Sequence, residues 1–212
     1  MGLHSTQDTD EGGKIYIWEI TETEEELRNI CGAIPQDEEE ELTLIKGESR
    51  RKEKLAERAL LNYIYPEKVY LGHHDNGKPY IQQNAVEISI SHTYRFVAIL
   101  LHDEEDVGID IESLDRDFAA VETKALSEDE REDLSEKNRN LHLAIYWSAK
   151  EAIYKRMSQN GIDFASQIKV EKFNPKENGE LEATFIHKDG EEEEFRLDYQ
   201  IFENHIMVWL EG

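Results

Sequence analysis

The chain has 212 residues, 38% of them hydrophobic and 34% charged, enough apolar material for one globular domain or two closely packed halves. Lys and Arg number 24 against 48 Asp and Glu, a formal net charge of −24, which disfavours general binding to nucleic acid or to an anionic membrane surface. No apolar run approaches the ~20 residues that span a bilayer, the opening MGLHSTQDTD lacks a secretory layout, and the lone Cys31 permits no internal disulfide, so a soluble protein of the reducing cytoplasm is expected.

In chain order, KIYIWEIT (14–21) alternates like a strand and EEELRNI is a polar helical stretch that places Cys31 at a helix end as a small buried thiol. From Leu42 to Tyr65 the apolar positions Leu55, Ala59, Leu60, Leu61 and Ile64 keep helical spacing, and Pro66 ends the helix. KVYLGHHDNGKPYI reads as a strand, a turn at Asn76-Gly77 and a short extended piece. AVEISISHTYRFVAILLH gives two paired strands with Ser91-His92-Thr93-Tyr94 at the bend, and DVGIDIES a further strand. RDFAAVETKALSEDEREDLSE predicts two short helices meeting near Ser127, with Glu130 in the capping-box position. NLHLAIYWSAKEAIYKRM (140–157) is a second long helix, and IKVEKF, ELEATFIH, EEFRLDYQIF and HIMVWLEG are consecutive strands with turns at Asn178-Gly179 and Asp189-Gly190.

The order strand, helices, strands thus occurs twice, changing over near residues 103–106. It predicts an α+β fold: a pseudo-twofold pair of similar α/β lobes, residues 1–105 and 106–212, each a mostly antiparallel sheet packed with helices.

Four short segments carry chemistry. In VGIDIE (107–112), Asp110 and Glu112 lie two apart on a strand and share a face, so their carboxylates can serve one hard divalent cation; an ordinary solvent-facing strand end is the alternative. In WSAKEAIYK (147–155), Trp147, Glu151 and Lys155 recur at one-turn intervals; Glu151 offers a third carboxylate, Lys150 and Lys155 offer ammonium groups for phosphate, and a solvated face with an i,i+4 pair is the alternative. GKPY (77–80) and SISHTYRF (89–96) present Lys78, Ser91 and His92 near a turn and a strand end. The segment 46–58, KGESRRKEKLAER, holds six basic residues against three acidic ones, a positive island that suits an anionic ligand or a solvated helix face. His73-His74-Asp75 is not a metal cluster, because adjacent residues of an extended chain point to opposite sides.

Gly-Lys-Pro, Ser-x-Ser-His, Gly-Ile-Asp-Ile-Glu and Trp-Ser-x-Lys-Glu-Ala-x-x-Lys, in that order, resemble the 4′-phosphopantetheinyl transferase superfamily, in its larger, monomeric two-lobed type with the active site between the lobes. The resemblance implies transfer of 4′-phosphopantetheine from coenzyme A to a serine hydroxyl of an acyl or peptidyl carrier protein, with release of 3′,5′-ADP. It implies Mg²⁺ on Asp110, Glu112 and Glu151, and a phosphate contact from Lys155 with Lys150 second. As base it implies Glu151 first and Glu130 second. It further implies that Lys78, Pro79, Ser91 and His92 hold the nucleotide end, and that Arg50, Arg51 and Arg58 lie near the 3′-phosphate. The alternative class is a non-catalytic relative that binds coenzyme A or a carrier protein as a regulator; another Mg²⁺-dependent phosphotransferase is disfavoured because GGK at 12–14 is no P-loop.

Overall fold

The computed structural model describes residues 2–67 and 69–212, so Lys68, at the head of KVYLGHHDNGKPYI, lies outside it. Two antiparallel sheets with helices on them make up an α+β fold. The first sheet contains β1 (Leu3–Asp8), β2 (Lys14–Glu19), β5 (Glu87–His92) and β6 (Phe96–His102), in the order β1-β2-β6-β5. Helices α1 (Glu24–Cys31), α2 (Gln36–Leu44) and α3 (Glu48–Ile64) and the hairpin of β3 (Leu71–His73) and β4 (Pro79–Ile81) connect its halves. The second sheet is ordered β7-β11-β10-β9-β8, from β7 (Val107–Ser113), β8 (Ile168–Val170), β9 (Asn178–Ile186), β10 (Glu192–Phe202) and β11 (His205–Glu211). Between β7 and β8 come α4 (Ala119–Lys124), α5 (Glu128–Glu132), α6 (Arg139–Met157) and α7 (Phe164–Gln167).

Side-chain alternation divides the apolar residues among three cores. On β2 and β6, Trp18, Val97 and Ile99 face α3 with Leu55, Ala59 and Leu60, while Ile15, Ile17, Phe96, Ala98 and Leu100 meet Val107, Ile109 and Ile111 of β7 and Met207 and Trp209 of β11. The opposite face of β11, with Ile206, Val208 and Leu210, packs on Ala149, Ala152 and Ile153 of α6. Most of β7 is therefore buried on both sides, its apolar face in the core between the sheets and its Gly108, Asp110 and Glu112 face under α6.

The first sheet's edge strand, β5, lies against the second sheet's edge strand, β7, without a backbone ladder. Two hydroxyls take its place. Ser89 Oγ accepts from the Ile109 amide at 3.0 Å, and Ser91 Oγ accepts from the Ile111 amide at 3.2 Å. An edge that would otherwise bury unpaired N–H groups is thus satisfied by side chains of the neighbouring strand.

Several elements depart from the sequence reading. β1 is an additional edge strand whose alternating, never fully buried pattern carries no apolar signal. The long helix begins at Glu48 rather than Leu42, because the chain breaks at Ile45–Gly47, where Arg51 donates to the Ile45 and Lys46 carbonyls. Ser91 and His92 complete β5, and the bend follows at residues 93–95. Asn178 and Gly179 are paired in β9, not in a turn: Gly179 faces Tyr199, whose ring would be 3.0 Å from an added Cβ. The capping box at Ser127 and Glu130 and the turn at Gly190 are present as read.

Gly108 sets the spacing of β7 and α6. A Cβ there would overlap the Ala152 carbonyl oxygen and come within 2.9 Å of Leu210 Cδ2. Both neighbours belong to packed elements, so the helix has to move. Gly108→Ala is expected to lower unfolding free energy by about 2 kcal/mol or more, measured by urea denaturation; an unchanged midpoint would show that α6 can shift freely.

Candidate active site

Because Val107, Ile109 and Ile111 point into the core shared by the sheets, Gly108, Asp110 and Glu112 point to α6. The helix answers with one stripe at intervals of four. Trp147 Nε1 donates to Glu112 Oε1 at 2.8 Å, and Lys155 Nζ donates to Asp110 Oδ1 and to the Ile109 carbonyl, both at 2.9 Å. Glu151 lies between these anchors on the same stripe. The strand pair and the helical triad, 35 and 45 residues apart in sequence at these two contacts, therefore form one site.

Asp110 is 5% exposed. Its Oδ1 accepts from Lys155 and, at 3.0 Å, from Ser91 Oγ, whereas its buried Oδ2 has no partner among the described residues. Glu112 Oε1 also pairs with Arg116, whose guanidinium lies over the Trp147 and Phe118 rings. Burial first, then the charge of Asp110, raises the Glu112 pKa against the pull of Arg116 and Trp147. Glu151 is pushed up to about 7, by burial and then by Asp110, with Lys155 opposing and Glu112 adding to the repulsion. Three carboxylates at one place, with an orphaned buried oxygen, carry more negative charge than their partners neutralise, and a hard cation suits that donor set. Among the described residues, however, no three His, Cys, Asp or Glu groups form a ready-made metal cage.

Beside this cluster a cavity of about 170 Å³ opens between the β3–β4 turn, β5 and the end of α6, lined by Gly77, Lys78, Pro79, Ser89, Tyr154, Lys155 and others. Asn76 Nδ2 donates to the Ser158 carbonyl at 2.6 Å, holding the turn over the helix end. Lys78 Nζ pairs with Glu87 at 2.6 Å and with Asp106; burial pulls its pKa down, but the two carboxylates outweigh that and hold it above the ordinary value. At the end of β5, the two His92 ring nitrogens lie 3.0 and 2.7 Å from Arg50 Nη1. Burial, then the Arg50 charge, lowers the His92 pKa, so the imidazole faces the guanidinium as a neutral acceptor.

Other expected residues lie elsewhere. Lys150 is fully buried and donates to Glu130 Oε2 (2.8 Å) and to the Phe164 (3.0 Å) and Ile168 (2.6 Å) carbonyls, which uses all three of its protons. Glu130, 4% exposed, accepts from the Val170 amide at 2.9 Å and the Ser127 amide at 2.7 Å. The pair knits α5, α6, α7 and β8 together and leaves neither group turned to a phosphate or a serine. Arg51 points away from His92, onto Glu24 and the Ile45 and Lys46 carbonyls. Ser91 is spent on Asp110 and Ile111. Arg116 has no place in the sequence reading, and Gly108 enters it only as the first residue of Gly-Ile-Asp-Ile-Glu. No spacing rule ties an arginine in a loop to a strand glutamate, whereas a glycine inside an apolar strand does signal close approach of another backbone.

Two measurements follow from these environments. Lys150→Met strands the Glu130 carboxylate and is expected to cost about 3 kcal/mol, most of it recovered in Lys150→Met/Glu130→Met; equal loss in both variants would rule out the buried-charge explanation. For Glu151, a folded pKa above the ordinary 4.5 means the native state holds the extra proton between those values, so stability falls as pH rises through that window. With chelator present, wild type should lose about 1–3 kcal/mol relative to Glu151→Gln between pH 4.5 and pH 8; parallel denaturation profiles would show that Glu151 is solvated.

Residues 106–208 match the family model of the 4′-phosphopantetheinyl transferase superfamily. No curated protein matches the chain. The matched stretch contains β7 with Asp110 and Glu112 and α6 with Glu151 and Lys155, the two elements that build the site. Over residues 106–208, just under half of its length, the chain is similar to the 4′-phosphopantetheinyl transferase superfamily.

Proposed function

We propose that this chain is a Mg²⁺-dependent enzyme of the superfamily's larger, two-lobed, monomeric type. In this reading it moves 4′-phosphopantetheine from coenzyme A to a serine hydroxyl of an acyl or peptidyl carrier protein and releases 3′,5′-ADP. The observation that carries the reading is the contact of Lys155 Nζ with Asp110 Oδ1, which joins the strand and helix motifs beside an open cavity.

Asp110, Glu112 and Glu151 are the residues to hold the ion, and the orphaned Asp110 Oδ2 is the feature that fits it. Magnesium needs only one or two protein carboxylates and otherwise keeps waters and substrate phosphates, so a site without a complete protein cage is compatible with it. When bound, the ion would offset charge on the transferring phosphoryl group and its leaving group.

The chain's own groups then have separate tasks. Lys155 and Lys78 line the cavity and would bring ammonium charge to the pyrophosphate. Gly77 and Pro79 shape its wall, and Arg50, which bridges His92 and Glu53, is the guanidinium proposed for the nucleotide end once an anion displaces Glu53. Glu151 is the group to take the proton of the carrier serine; burial and Asp110 raise its carboxyl to about 7 in the metal-free chain, and a bound cation would lower it again. Ser91 holds Asp110 in place, and Glu130 and Lys150 serve as scaffold. A reducing cytoplasmic setting agrees with Cys31, a free thiol buried at a helix end and pushed up to about 12 by burial.

The test is incubation with coenzyme A, Mg²⁺ and an apo acyl carrier protein, followed by intact-mass spectrometry. The carrier should gain one phosphopantetheine unit with wild type and none with Glu151→Gln. Several apo carriers left unmodified while coenzyme A still binds would establish the non-catalytic relative instead.

A further inference from the structure

The cations around the site are already engaged. Lys78 is held by Glu87 and Asp106, Arg116 by Glu112, and Lys155 by Asp110 and the Ile109 carbonyl. Of these, Lys155 alone sits on Asp110, the most buried of the three site acids. An isolated carboxylate at 5% exposure is expensive, and Lys155 with Ser91 Oγ satisfies one of its oxygens. The Lys155 side chain is itself 26% exposed and lines the cavity, so the ammonium stands between a carboxylate and the space proposed for a phosphate.

We infer that Lys155 is a resident counter-ion of Asp110, displaced by a divalent cation and thereby released to a phosphate, so that it opposes each ligand's binding when the other is absent. This rests on the transferase reading. A cation reaching Asp110 Oδ2, the oxygen that Lys155 leaves unpartnered, brings a second positive charge to the same carboxylate and repels Lys155 from Oδ1; a phosphate entering the cavity must draw Lys155 away from Asp110, leaving that carboxylate uncompensated. Each ligand removes the other's penalty, and the coupling is reciprocal because it is a free energy shared by two sites. Lys155 therefore acts as a placeholder that keeps the acid site from collapsing or over-repelling before substrate arrives, at the expense of affinity for either ligand alone.

A metal–phosphate contact would itself couple the two ligands, so the decisive measurements take each ligand singly. Mn²⁺ binding to the full chain is followed by electron paramagnetic resonance without nucleotide, and coenzyme A binding by calorimetry in chelator. Lys155→Met should bind Mn²⁺ alone about tenfold more tightly than wild type, because the competing ammonium is gone. Asp110→Asn should bind coenzyme A in chelator more tightly than wild type, because Lys155 no longer has a charged partner. Lys155→Gln provides the first measurement if the Met variant does not fold, with thermal unfolding in chelator as the folding control. Mn²⁺ affinity in the Lys155 variants equal to or below wild type overturns the inference, as does coenzyme A affinity in Asp110→Asn at or below wild type. Wild type that binds neither Mn²⁺ nor coenzyme A would remove the transferase reading along with it.

Discussion

The site depends on how closely one helix backbone approaches one strand. α6 lies on β7 with no side chain between the Ala152 carbonyl and Gly108, and that separation lets two short reaches succeed together, Trp147 to Glu112 and Lys155 to Asp110, with Glu151 on the same stripe between them. A helix held off by the width of a methyl group would lengthen every one of these contacts. The small residues Ala149 and Ala152 on α6 and the buried Glu130–Lys150 pair beneath it serve the same requirement, the first by allowing approach and the second by fixing the helix against α5, α7 and β8. Lys150 and Lys155 thus divide the work of one motif, one turned into the fold and the other toward the cavity.

Electrostatics at the site follow from that packing. Burying three acids together raises the proton affinity of Glu151 and Glu112, and the neighbouring cations only partly relieve it. The overall charge of −24 plays little part in this, because most of it lies on exposed faces where solvent screens it. The few buried acids, with Lys155, Arg116 and Lys78 beside them, set the local chemistry.

Much of this was legible in the sequence, and the reasons are specific. Period-two alternation alone places Asp110 and Glu112 on one face, and a four-residue interval alone places Trp147, Glu151 and Lys155 on one stripe; the fold brings those two surfaces together. What sequence spacing could not supply was the direction of residues flanking the stripe. Lys150 is adjacent to Glu151, yet a step of one residue on a helix rotates the side chain by roughly 100°, which here turns it from the cavity into the core. Arg50 and Arg51 diverge for the same reason, one to His92 and the other to Glu24. β1 was missed because a polar edge strand carries little apolar pattern, and Ser91 looked like a ligand contact because a buried hydroxyl that replaces a ladder hydrogen bond has no sequence signature.

The serine seam between β5 and β7 has a bearing on how the molecule assembles. Its partners, Ser89 with Ile109 and Ser91 with Ile111, are each 20 residues apart, whereas Lys155 and Asp110 are separated by 45. Loop-closure entropy favours the shorter connection by about 0.7 kcal/mol, and the seam needs only a β-hairpin and the strand that follows it. The seam is therefore the more local of the two connections, and through Ser91 it holds Asp110 from the side opposite to α6.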